Sequence, residues 1–143
     1  MTYFWFLFVV FLVSVGAGHY LDLQSRVAQR YKEVELIRLG EAYKTAIQAY
    51  YLSSPQGAFR YPDRLEELLH DRRHVVVRRY LRRLYLDPIT ARPFLPVPSE
   101  NGGIAGVRSG SPTRPLAKAL KGAQASVADP QRYSDWQFIY LGP

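Results

Sequence analysis

The chain has 143 residues, with 19 Lys+Arg against 12 Asp+Glu for a formal net charge of +7; that length holds one domain with a modest core and leaves no room for a large catalytic cleft. Cysteine is absent, which excludes disulfides and thiolate metal sites and leaves the compartment open. Fifteen of the nineteen cations are arginine, a balance that suits anionic lipid, nucleic acid or acidic protein and chooses none of them.

The first element is the run YFWFLFVVFLVSVGAG, residues 3–18, in which the only polar side chains are Tyr3, Trp5 and Ser14. Its apolar residues follow neither helix nor strand periodicity, and a helix apolar all round belongs in lipid or inside a bundle. Uncharged sequence continues through Leu21, roughly the 20 residues a spanning helix needs, with Tyr3, Trp5 and Tyr20 where interfacial aromatics sit. A cleavable signal peptide is the alternative, cut near Val15-Gly16-Ala17 or Gly16-Ala17-Gly18, but the basic region that normally precedes one is missing. Arg26, Arg30 and Lys32 follow the run closely, so charge alone does not set its orientation.

From Asp22 to Leu52 there is no proline, and Gly40 is the only glycine. Apolar residues at Val27, Tyr31, Val34, Leu36, Leu39, Tyr43, Ala46, Ile47 and Tyr50 recur at threes and fours, with Arg30, Lys32, Glu33, Glu41, Lys44 and Gln48 between them. This spacing predicts an amphipathic helix. Nothing interrupts it at Leu21 to Leu23, so the expectation is one rod of about 50 residues and about 75 Å. Ser53-Ser54-Pro55-Gln56-Gly57 carries turn chemistry and ends it.

Tyr61 to Leu69, YPDRLEELL, predicts a short helix with its proline and acids early. Arg72 to Leu86, RRHVVVRRYLRRLYL, predicts a second one with Arg78, Arg79, Arg82 and Arg83 on one face and Val77, Tyr80, Leu81, Leu84 and Tyr85 on the other. Asp87-Pro88 stops it. Prolines 88, 93, 96 and 98 and glycines 102, 103, 106 and 110 then break the chain into short pieces. Residues 92–97, 104–107 and 136–140 read as strands, and Ser111 to Asp129 as a loop with one helical turn near Pro115 to Leu120. The fold class is α+β, divided as an apolar helix (1–21), its amphipathic continuation (22–54) and a small head (55–143).

Catalytic motifs are sparse. His70 and His74 would share a helix face, but no Asp, Glu or Cys completes a ligand set in register, and a surface pair is the better reading. Gly102-Gly103-x-x-Gly106 has no helix signal after it and reads as a turn. No catalytic residue, metal or cofactor is assigned.

The order of these pieces resembles the type IV pilin and type II secretion pseudopilin family. The segments that carry the resemblance are Tyr61-Pro62-Asp63-Arg64-Leu65-Glu66-Glu67-Leu68, then Tyr80-Leu81-Arg82-Arg83-Leu84-Tyr85-Leu86-Asp87-Pro88, then Gly102 to Ser109-Gly110, and finally Asp135-Trp136-Gln137-Phe138-Ile139-Tyr140. The resemblance implies a non-enzymatic structural subunit in the bacterial inner membrane, single-pass, with its head in the periplasm. Its partners would be other pilin or pseudopilin subunits and inner-membrane lipid, with no small-molecule substrate. Assembly would run through the apolar helix, here Phe4, Trp5, Phe8, Phe11, Leu12, Val15 and Gly16. The chain departs from the family pattern at this end: Met1 stands where the first mature residue would be and Trp5 where the family has a glutamate, with no processing glycine. The reading is therefore of an unprocessed, divergent member or of a start further upstream. The Asp- and Gly-rich calcium loop of major pseudopilins is also replaced, by Ser109-Gly110-Ser111-Pro112.

Arg72, Arg73, Arg78, Arg79, Arg82 and Arg83 fall within a stretch that contains no acid. A solvated face is the plain reading, and contact with an acidic neighbour, lipid headgroups or DNA phosphate is the functional one. Two other functions compete with the structural subunit: a DNA-binding minor pilin using these arginines, and a secreted basic protein released by signal-peptide cleavage.

Overall fold

The computed structural model describes residues 2–116, 124–125 and 131–142, with the side chains of 2, 14–23, 56 and 124–125 outside that description. It is an α+β structure in which a helix α1, Thr2–Leu52, precedes a four-stranded antiparallel sheet. The chain divides into two compact units, Met1–Lys32 and Glu33–Pro143.

The first unit is helical, and the large apolar side chains from Tyr3 to Val13 are exposed. Val27 and Tyr31, expected on the sticky face, are exposed as well. In the second unit the helix supplies Leu36, Leu39, Tyr43, Ala46, Ile47 and Tyr50 to the core, steps of three and four that place them on one face. Val34 is exposed, against expectation, because two residues before Leu36 it falls on the opposite side of the helix. Glu33, read as a solvent position, is buried one turn before Leu36. Its Oε1 accepts the Tyr133 hydroxyl at 2.7 Å and the Leu116 N–H at 2.6 Å, so the carboxylate fastens the helix to two distant segments.

The helix ends at Leu52 as expected, and a 3-10 turn at Pro55–Gly57 reverses the chain, with Gly57 at φ +72° where a side chain would be strained. The helix expected over Tyr61 to Leu69 is a single 3-10 turn, Leu65–Leu68. It goes no further because the Leu68 carbonyl is taken by the N–H groups of Tyr80 at 2.9 Å and Leu81 at 3.1 Å rather than by the next helical turn.

The helix expected over Arg72 to Leu86 is not formed. That segment consists of turns and bends held by isolated pairings, Asp71 with Arg78 and Leu86 with Pro93. Three successive β-branched valines and closely spaced arginines give a weak helix. Asp71 then takes the Arg73 N–H at 3.0 Å, a local alternative to helical bonding.

Strands β1 (Leu95–Pro98), β2 (Ile104–Arg108), β3 (Gln124–Ala125) and β4 (Trp136–Ile139) run in the order β1-β2-β4-β3. Three of them match the expected strand regions. β3 lies in what reads as loop and pairs with β4 through Gln124 opposite Gln137 and Ala125 opposite Trp136. Of the helical turn expected at Pro115 to Leu120, the first two residues are not helical and residues 117–120 lie outside the described set. Pro96 and Pro98 are confined to β1, an edge strand where a missing N–H is tolerated. β4 turns Trp136 and Phe138 into the core.

Gly40 explains itself against this sheet. A Cβ there would lie 2.4 Å from the Phe138 ring, so the missing side chain is what lets the aromatic seat on the helix. Alanine is about 1 kcal/mol better than glycine in an unconstrained helix, yet the clash should win. Gly40→Ala is expected to destabilise the protein by about 1–3 kcal/mol, read as a lower thermal or denaturant midpoint; a higher midpoint would contradict the packing described.

Candidate functional site

The residues expected to assemble through the apolar helix divide by what can be described. Phe4, Trp5, Phe8, Phe11 and Leu12 each keep more than half of their surface exposed. Val15 and Gly16 lie in α1, but their surroundings fall outside the described set. Among the described residues no helix is long and apolar enough to cross a membrane. The membrane half of the expected rod therefore rests on the sequence.

The arginine segment is built around Asp71, an acid that the sequence reads as part of a solvated surface and that is buried. Asp71, fully shielded from solvent at its side chain, receives the Arg73 Nε at 2.9 Å on one oxygen and Arg73 Nη2 at 2.8 Å on the other, and the Tyr80 hydroxyl at 3.0 Å. Arg73 also donates to Ser54 Oγ and the Tyr50 carbonyl, both at 2.8 Å, and its guanidinium stacks 3.5 Å from the centre of the Tyr50 ring. A planar fork can serve all of these at once, as a lysine could not. His74 Nε2 stands 3.5 Å from Asp71, an ion pair when the imidazole is protonated.

Burial alone would raise the Asp71 carboxyl, but the Arg73 guanidinium, the Arg73 N–H and the Tyr80 hydroxyl outweigh it and hold the group at about 2, below its ordinary 3.8. Burial, reinforced by the hydrogen bond to Glu67, pushes the Tyr50 hydroxyl up. Glu67, Asp63 and Arg60 line an open groove of about 660 Å³ beside this cluster, where Arg60 pairs with Asp63 at 2.8 Å. Opposite charges cancel across it, so it shows no preference for anion or cation.

Arg73 is thus an internal fastener. Arg72, Arg78, Arg79, Arg82 and Arg83 are exposed, and Arg83 lies 5.4 Å from the centre of the Tyr85 ring. The two histidines do not share a helix face, since no helix forms there, and no group of three His, Asp or Glu suited to a metal occurs among the described residues.

A second buried acid joins two of the sequence motifs. Asp87 accepts the Ser109 hydroxyl at 2.6 Å, the Thr90 hydroxyl at 3.0 Å and the Ile89 N–H at 2.9 Å. The Asp-Pro that ends one segment is thereby bonded to the Ser-Gly that ends another. Asp-Pro was legible as a chain stop; its bond to a serine 22 residues away was not.

No family model, curated protein or solved structure matches the chain.

The Asp71 arrangement has a pH signature. A folded-state value below the unfolded one means that the carboxylate stabilises the protein fully above about pH 4 and loses that contribution as pH falls through about 2. Asp71→Asn should destabilise the protein by about 2 kcal/mol at neutral pH, with the gap from wild type closing as pH falls from about 4 to about 2. Urea unfolding across that range reads both, and a gap independent of pH would refute the assignment.

Proposed function

We propose that the chain is a non-enzymatic, pseudopilin-like structural subunit of a type II secretion or type IV pilus-type machine. In this reading the apolar run at residues 3–18 sits in the bacterial inner membrane, packs against the same run of neighbouring subunits, and carries the head into the periplasm. The observation that carries it is one helix with two kinds of surface. Its residues from Tyr3 to Val13 are uncovered and almost wholly apolar, while its residues from Leu36 to Tyr50 are the core of an α+β unit. An apolar helix surface of that extent is unfavourable in water and favourable in lipid or against other helices.

Further support comes from how the motifs meet. The Tyr61 hydroxyl donates to the Tyr140 carbonyl at 3.1 Å, Ile104 donates its N–H to the Pro62 carbonyl at 2.8 Å, and Asp87 holds Ser109. The segments whose order carries the family resemblance are therefore bonded to one another in a single core. In the alignment that the resemblance implies, Trp5 stands where the family has its glutamate, and subunit pairing would then rely on shape and apolar contact without a buried charge.

Since the chain has no native cysteine, single cysteines at Phe8 or Leu12 report neighbours cleanly. Oxidation in native membranes should give disulfide-linked dimers at both positions and few or none at the exposed Thr45 control. Recovery of the protein in the soluble fraction, or equal crosslinking at Thr45, would overturn the proposal.

A further inference from the structure

The pairing of Asp71 with Arg78, through N–H to carbonyl bonds of 2.9 and 3.3 Å, closes a loop whose tip is Val75-Val76-Val77. The three valines are 106%, 75% and 53% exposed. Consecutive β-branched residues that are all more than half exposed contribute little to a core, and such runs are avoided unless they serve a contact. The base of the loop is held by the Asp71–Arg73 network, so its tip is presented from a fixed mount.

Arg72 lines the mixed-charge groove with Asp63, Glu66 and Glu67. Arg78, Arg79, Arg82 and Arg83, which follow the tip, are exposed with no acid among them, and the acids that bound the segment, Asp71 and Asp87, are buried and already bonded. We propose that this loop is a peripheral membrane contact, with Val75 to Val77 entering the boundary between headgroups and acyl chains while the arginines lie on lipid phosphates. The inference stands apart from the reading of the chain as a pilin-like subunit.

An anionic bilayer surface satisfies both halves of the feature, because it offers phosphate directly over hydrocarbon. Arginine suits the position, its aliphatic stem lying along the apolar layer and its guanidinium remaining at the phosphates. Nucleic acid matches only the charge. Its bases stack on exposed aromatic rings, whereas Tyr80 donates its hydroxyl to Asp71, and Tyr85 lies edge-on to Tyr43 and under Arg83. A purely acidic protein surface would likewise leave the valines in water.

The test uses the full chain in phosphatidylcholine nanodiscs, carrying Val76→Cys labelled with an environment-sensitive fluorophore. Only the loop is then reported, whatever holds the N-terminal run. Added vesicles of equimolar phosphatidylcholine and phosphatidylglycerol should shift the emission to the blue and bring the label within reach of a bilayer-embedded quencher; vesicles of phosphatidylcholine alone should do neither. Replacing Arg78, Arg79, Arg82 and Arg83 with alanine should raise the anionic lipid needed by about a hundredfold or more, since each cation near such a surface is worth about fivefold. These residues are exposed, and near-ultraviolet circular dichroism checks that the fold persists. No shift with anionic vesicles would overturn the proposal, as would a shift given only by duplex DNA or by polyglutamate.

Discussion

The apolar face of α1 from Leu36 to Tyr50 is the constraint on which the rest of the second unit depends. It is the only long regular surface among the described residues of that unit, and the later segments supply its cover. Tyr43 shows how closely the cover fits: its ring meets Phe94 and Tyr85 edge-on, and its hydroxyl both accepts the Tyr85 N–H at 2.8 Å and donates to the Tyr85 carbonyl at 3.1 Å. Gly40 shows the same demand from the other side, a glycine kept in a helix so that Phe138 can lie on it.

The chain that covers this face has little regular structure of its own between Ser53 and Phe94. Backbone groups buried without ladders need other partners, and three buried carboxylates supply many of them. Glu33 ties the helix to Leu116 and Tyr133, Asp71 ties the arginine segment to Ser54 and Tyr50 through Arg73, and Asp87 ties its own turn to Ser109. Asp71 and Asp87 are each met by several donors, the condition under which an acid can be buried at all. Glu33 accepts two bonds on Oε1 and none on its buried Oε2. The same fastening frees the remaining arginines and the valine tip to face outward.

The parts legible in the sequence were those governed by local rules. The single helix, its stop at Ser53 to Gly57, and strands near Leu95, Ile104 and Trp136 followed from periodicity and turn residues. The arginine segment was misread because its apparent helical alternation of Arg78, Arg79, Arg82 and Arg83 against Tyr80, Leu81 and Leu84 is also what a bent chain shows when it buries every third or fourth side chain. What decided the matter was non-local: Leu68 offering its carbonyl to Tyr80 and Leu81, and Asp71 bonding Arg73 and Arg78. Spacing could not separate Arg73, which is internal, from Arg72 beside it. Nor could it show that Glu33 is buried, since its partner Tyr133 lies 100 residues away.

The functional account joins these observations through one helix with two employments: an apolar end for lipid and neighbouring subunits, and a striped end for the head. Hydrogen exchange of the full chain in lipid nanodiscs, followed by mass spectrometry, tests that claim most directly. Residues 4–13 lie at the uncovered N-terminal end of α1, their large apolar side chains exposed; in water such a helix end frays and exchanges fast, whereas in a bilayer its amides are shielded. The account predicts slow exchange both there and across residues 36–50. Fast exchange at residues 4–13 beside a protected 36–50 would contradict it, leaving a folded α+β unit whose apolar run does no membrane work.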